Sequence, residues 1–322
     1  MPPQVGGPSP SVTLAPVGTV DGDTSFRRVV RAIDPGAELL RSWRLEGGVS
    51  TRVTALEIGR PGGRREKLVV RQYGDAKLRA NPNVAEDEFR LLELVRAAGV
   101  PAPRPFLADA SGHMLSRPYL VSALVEGESG LGTGGDVRSE VRELAGVLAR
   151  IHGIPRGGAP FLADKNERVR RRLGERPARL DETLSEGDIR AALARLWPPR
   201  SPNAPVLLHG DFWPGNTLWR DGRLAAVIDW EDAGIGDPLT DLANGRLEIA
   251  MFHGQDAMRE FTGRYRSLVP SADYTNLPCW DLCAALHPAG QMASWGLDAS
   301  TLARVRDGHR AFVVQALDAL PS

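Results

Sequence analysis

The stretch Leu207-Leu208-His209-Gly210-Asp211-Phe212-Trp213-Pro214-Gly215-Asn216, with Val227-Ile228-Asp229-Trp230 a little further on, constrains the fold of this chain more than any other. Two short apolar runs, residues 205–208 and 224–228, are bounded by turn residues and read as buried strands. Each ends by delivering a carboxylate, Asp211 from the first and Asp229 from the second. Between them Trp213-Pro214-Gly215 forces a tight loop, because proline fixes φ and glycine accepts conformations that other residues avoid. That loop brings Asn216 back toward the same mouth. Asp221-Gly222 then supplies a hairpin turn into the second strand.

These residue types define a chemistry. Asp229 and Asn216 offer one anionic and one neutral oxygen, a set that suits Mg2+, a hard cation that keeps most of its waters and shares phosphate oxygens. Asp211, five residues before Asn216 on the same loop, is left free of the metal. There it can orient a hydroxyl and accept its proton during attack on a γ-phosphate. Protein kinases divide the labour in this way, with an H-x-D-x-x-x-x-N loop followed by a metal-binding Asp on a later strand. His209, Asp211 and Asn216 match that spacing residue for residue.

The longer segment LLHGDFWPGNTLWRDGRLAAVIDWEDAGIGDPLTDLAN resembles the signature of the aminoglycoside phosphotransferase (APH) family, a relative of choline kinases and more distantly of protein kinases. The resemblance includes His209-Gly210-Asp211, the Asn at its offset, Ile228-Asp229-Trp230, and the trailing Gly236-Asp237-Pro238 and Asp241-Leu242-Ala243. It extends more weakly over roughly residues 45 to 317. It implies an α+β, bilobal, protein-kinase-like fold with a small β-rich N-lobe and a larger, mostly helical C-lobe. The expected division is a flexible tail over residues 1–20, a nucleotide-binding N-lobe over 21–127, and a C-lobe over 128–322 carrying the catalytic loop and acceptor site.

Composition agrees with such a chain. Its 322 residues suffice for two lobes with separate cores. With 40 basic and 40 acidic residues, no bulk field draws it to nucleic acid or membrane. No apolar run approaches the ~20 residues of a membrane span, and Met1-Pro2-Pro3-Gln4 lacks the charged and apolar regions of a secretory signal. Cys279 and Cys283, four apart on an expected helix, read as two buried thiols in a reducing compartment. The expected location is cytoplasmic.

In the N-lobe, residues 42–58 alternate on both sides of a Gly47-Gly48 turn and read as a β-hairpin. The backbone there, with Gly47, Gly48 and the small side chain of Ser50, is suited to closing over a nucleotide's phosphates, although an ordinary hairpin accounts for the pattern equally well. The next strand, 67–73, carries Arg71 where the kinase template has a Lys holding the α- and β-phosphates. A guanidinium can bridge phosphate oxygens too. Residues 85–98 read as a helix, and the offset seen in the resembling family makes Glu88 the ion-pair partner of Arg71, with Glu86 and Glu93 as competitors. A further strand and turn cover 119–127; the resemblance makes this the hinge, where the backbone at Ala123 and Leu124 would meet the adenine edge.

In the C-lobe, residues 137–152 form a helix with Val141, Leu144, Leu148 and Ile151 on one stripe. Helices are also expected over 242–268, 280–295 and 301–317. Trp280, Trp295, Tyr274 and His287 are either acceptor-pocket walls or core, and Glu231-Asp232 either meet a cationic acceptor or are solvated. The leading reading is a Mg2+-dependent kinase moving the γ-phosphate of ATP or GTP to a hydroxyl of an unidentified small molecule. One alternative is a catalytically silent nucleotide-binding protein of the same fold. A metal-dependent hydrolase using His209, Asp211 and Asp229 is a third, less supported because no His-x-His or His-Glu cluster accompanies them.

Overall fold

Strand alternation and helical stripes set two cores in this chain. The computed structural model describes residues 17–19, 23–45, 51–132, 135–175, 177–199 and 202–320. They divide into one unit of Met1–Glu128 with Ala225–Glu231, and another of Ser129–Leu224 with Asp232–Ser322.

The first unit begins with β1 (Val17–Thr19), α1 (Asp23–Ile33), β2 (Glu38–Arg44), β3 (Thr51–Gly59) and β4 (Arg65–Tyr73). It continues with α2 (Asp75–Ala80), α3 (Val84–Ala97), β5 (Pro105–Asp109) and β6 (Tyr119–Ala123). The strands form one sheet in the order β1-β2-β3-β4-β6-β5. Because side chains alternate along a strand, β3 and β4 serve two cores at once. Leu56, Ile58, Leu68 and Val70 point to one face, where they pack with Phe26, Val29 and Val30 of α1. Ala55, Val53 and Val69 point to the other, with Trp43, Leu45 and Leu124. Val17–Thr19, expected within a tail, instead pairs with β2. The turn expected to carry Gly47, Gly48 and Ser50 lies outside the described residues.

From β7 (Glu128–Ser129) onward the chain is mainly helical: α4 (Val137–His152), α5 (Lys165–Gly174) and α6 (Glu186–Leu196), then β8 (Val206–Leu208). A hairpin of β9 (Thr217–Arg220) and β10 (Arg223–Val227) and a short β11 (Gly234–Gly236) precede α7 (Leu239–Leu268), α8 (Leu277–Ala285) and α9 (Ala299–Asp318). The hairpin turn has left-handed backbone at both Asp221 and Gly222 (φ 53 and 69°), the form whose twist matches paired strands. β8 pairs antiparallel with β11. Val141, Leu144, Leu148 and Ile151 are all buried in α4, whose N-cap Asp136 accepts from the Arg138 and Ser139 N–H groups. The helix expected over 280–295 ends instead at Ala285, because Pro288 cannot continue it and Gly290 takes a left-handed φ of 71°. Cys279 and Cys283 are buried free thiols.

Candidate active site

In the first unit, the apolar sheet face around Ala55 leads directly to a charged cluster. Val69 and Arg71 lie on one face of β4, opposite Ala55 and Val53 of β3. Arg71 donates from Nη1 to Glu88 Oε1 (3.1 Å), and from Nη2 to Asp229 Oδ1 (2.9 Å) and Glu231 Oε2 (3.0 Å). Burial works to lower the pKa of this guanidinium, but the carboxylates of Glu88 and Asp229 outweigh it and hold the value well above the ordinary one.

Glu88 belongs to the buried stripe of α3, with Val84, Ala85, Leu91, Leu92 and Val95, which separates it from the competitors Glu86 and Glu93. Its second oxygen accepts from the Tyr73 hydroxyl at 2.7 Å. Burial pushes its carboxyl up, against the opposing pull of Arg71 and Tyr73.

Asp229 follows β10 with a left-handed backbone (φ 63°), an uncommon conformation that Asp tolerates better than most residues. The turn sets Asp229 and Glu231 on the same guanidinium. The Asp229 side chain remains 43% exposed, and its hydrogen bond with Arg71 is made through Oδ1.

In the second unit, the loop after β8 is built around Asp241 of α7. This buried carboxylate accepts from the His209 N–H (2.7 Å) and the Gly210 N–H (2.9 Å). The His152 Nε2 lies 3.4 Å from it, and the His152 Nδ1 meets the Tyr265 hydroxyl at 2.6 Å. His209 is fully buried and its Nδ1 accepts from the Asp211 N–H, so it braces the loop from the core. Gly210 has φ 83°, and a Cβ there would lie 1.8 Å from the Asp232 carbonyl oxygen. Asn216 ends a 3-10 turn over Pro214–Asn216. Its Nδ2 donates to the Asp211 carbonyl (2.9 Å) and to the Asp211 carboxylate Oδ2 (3.0 Å). The amide nitrogen is thereby turned to Asp211, and the amide oxygen is left as a neutral ligand.

Further groups of α7 reach the same loop. Asn244 donates to the Phe212 carbonyl oxygen (3.1 Å) and its own oxygen meets His287 Nδ1 at 3.0 Å. One helical turn on, Glu248 has an Oε2 sealed from solvent with no hydrogen-bond partner. Burial, and then the charge of Asp211, push its carboxyl up to about 8. Of the other aromatic candidates, Trp280 is core, edge-on to Trp197 with centroids 5.2 Å apart. Tyr274 donates to the Val269 carbonyl at the end of α7.

The structure therefore brings Arg71, Glu88 and Asp229 together in the first unit, and Asp211 with Asn216 in the second. Gly47, Gly48 and Ser50 fall outside the described residues. The N–H groups of Ala123 and Leu124 donate to the Arg104 and Lys67 carbonyls at 2.8 and 3.0 Å, so neither is available to a base edge. Glu231, weighed as an acceptor contact or a solvated residue, instead holds Arg71, the Thr51 hydroxyl (3.1 Å) and Lys77 (2.9 Å). Lys77, Glu248, the apolar face of Trp43 and Ala55, and the part Glu231 plays in binding Arg71 are not evident from the sequence alone. For Glu248 the signal is an acidic residue inside the apolar run 247–252.

Taken unit by unit, each group is of the oxygen type that suits Mg2+: in the first the Asp229 carboxylate is 43% exposed, and in the second the Asn216 amide turns its nitrogen to Asp211 and keeps its oxygen as a neutral donor. Among the described residues, no three His, Cys, Asp or Glu side chains form an all-protein metal cage.

Sheet, helical region and loop spacing together define an α+β, protein-kinase-like fold. Residues 43–275 match the sequence pattern of the APH phosphotransferase enzyme family, and the chain belongs to that family. The relatives include viomycin phosphotransferase of Streptomyces vinaceus, 32% identical over 45% of this chain and 55% of that protein. Acyl-CoA dehydrogenase family member 11 of Rattus norvegicus is 25% identical over 69% of this chain. The chain spans about a third of that rat protein, 32% of its length. Among solved structures, macrolide 2'-phosphotransferase MphH from Brachybacterium faecium superposes with TM-score 0.60 at 20% identity, covering 92% of this chain and 99% of that one. An APH(2")-type enzyme in complex with GDP and kanamycin gives 0.59 at 16% identity, covering 91% and 97%.

Proposed function

We propose that the protein is a small-molecule kinase that moves the γ-phosphate of ATP or GTP to a hydroxyl of its acceptor. The observation that carries this reading is the Arg71 cluster: a strand cation bound at once by a helix carboxylate, Glu88, and by Asp229 of the Ile-Asp-Trp motif. Kinases assemble the same three parts to hold a nucleotide's phosphates and its metal. The apolar face of Trp43, Val53, Ala55, Val69 and Leu124 suits the base, and Arg71 suits the phosphate chain. Asp229 and Asn216 would hold Mg2+, which when bound neutralises charge on the transferring phosphoryl group. Asp211, its carboxylate oriented by the Asn216 amide, would align the acceptor hydroxyl and take its proton. The acceptor belongs to the class of small hydroxyl-bearing molecules, as kanamycin does in the APH(2")-type complex. The dehydrogenase name belongs to the rat protein, of which this chain matches a minor part.

One observation favours the silent alternative: Arg71 replaces the expected Lys and already holds Asp229, the proposed metal ligand. Two measurements separate the readings. A melting temperature raised by nucleotide only when Mg2+ is present supports the donor site. A phosphorylated product from a library of alcohols, sugars and antibiotics supports transfer, and Mg2+-dependent binding with no product across that library favours the silent protein.

A further inference from the structure

We propose that Lys77, held beside Arg71 by Glu231, is a second cation for the donor's phosphate chain, and that Glu231 is the positioning residue that pairs the two. The inference rests on the donor-site reading above and adds to it residues from elements that the kinase template leaves out.

Glu231 gathers three elements of the first unit. Its Oε2 accepts from Arg71 Nη2 (3.0 Å) on β4 and from the Thr51 hydroxyl (3.1 Å) at the start of β3. Its Oε1 lies 2.9 Å from the Lys77 ammonium on α2. The two cations thus share one carboxylate, and Glu231, only 11% exposed, has both oxygens engaged. It is a hub, not a ligand in reserve.

Core packing does not account for α2. The helix is short and contributes no buried residue. What holds it are polar contacts, Lys77 to Glu231 and Asp75 to Arg117 (2.7 Å). Lys77 is partly exposed, so its ammonium, a compact charge on a flexible stem, can exchange part of its contact with Glu231 for a phosphate oxygen. Arg71 is the more deeply buried of the two and still has an Nε sealed from solvent with no partner.

Charge accounting supports the pairing. Around Arg71 stand two cations, Arg71 and Lys77, and three carboxylates, Glu88, Asp229 and Glu231. Once Asp229 turns to a metal, the two cations balance the two remaining carboxylates. Without Lys77 the cluster would carry an excess negative charge against the phosphates it is meant to receive.

Calorimetry on the full chain tests this, with Mg·ATP (or Mg·GTP, whichever binds more tightly) and the matching nucleoside monophosphate as probes. Lys77→Met should weaken triphosphate binding roughly tenfold, the effect of one charge-assisted contact. It should leave monophosphate binding unchanged, while loss of the contact with Glu231 lowers the unliganded melting temperature. Lys77→Arg should restore most of the loss, and Glu231→Gln should weaken triphosphate binding even with Lys77 present. Wild-type triphosphate affinity in Lys77→Met overturns the proposal, as does equal weakening of both nucleotides, which marks a purely structural ion pair. Failure of the wild-type protein to bind either nucleotide overturns the donor site itself, a result distinct from both.

Discussion

One backbone position and one carboxyl show how single residues set this site. At Gly210 the chain takes a left-handed turn against the Asp232 carbonyl, with no room for a Cβ. Gly210→Ala should therefore destabilise the protein by about 2 kcal/mol or more in urea melts; a change within a few tenths would show that the loop relaxes freely. Glu248 is an acid whose folded pKa, about 8, lies above its unfolded value. The folded state holds this proton more tightly, so the associated stability is fully present below the unfolded value of ~4.3 and is lost as pH rises through about 8. Glu248→Gln, which keeps the shape and cannot ionise, should match the wild type near pH 4 and exceed it in stability near pH 9. Parallel stability profiles across that range would contradict the assignment. Asp211, Asn216 and Asp229 stand out in the sequence as candidates because their spacing lies within one short stretch. Glu231 was visible as a residue but not as a hub, since its partner Arg71 is 160 residues away. Lys77 and Glu248 depend likewise on partners that only folding supplies.

At the scale of elements, alternation made β3 and β4 readable, and the same alternation placed Arg71 with Val69 on the face that carries the charged cluster. The stripe of α4 was equally plain. Less readable were elements without a strong apolar period: β1 is held by pairing with β2, and α2 contributes no buried residue. α7 gives the second unit its organising carboxylate. Asp241, buried at 1% exposure, takes two backbone N–H groups of the loop that carries Asp211. Asp241→Ala would strand both donors in the core and should cost about 2–4 kcal/mol. It should also lower turnover in the residual folded protein, because the carboxylate of Asp211 loses its fixed direction. Unaltered stability and turnover in this variant would show that the loop is braced elsewhere. Farther along, Gly254 interrupts the helix with φ 88°, a break that a sequence reading of one continuous helix did not anticipate.

For the whole molecule, the division into two units differs from a single cut at residue 127. Ala225–Glu231 belongs with the first unit, carrying Asp229 and Glu231 to Arg71. Hydrophobic patterning shows where strands and helices begin, but not which unit claims a seven-residue connection at a strand end. No helix among the described residues is long and apolar enough to cross a membrane. Family membership follows from residues 43–275, and the chemistry proposed for them turns on one proton acceptor. The most direct measurement is 31P NMR of product formation by wild type and Asp211→Asn, with Mg·ATP or Mg·GTP and the best acceptor from the library. The expected result is a phosphate ester with the wild type, a rate ~10²–10⁴-fold lower with Asp211→Asn, and equal nucleotide affinity in the two proteins. An undiminished rate in Asp211→Asn would contradict the account.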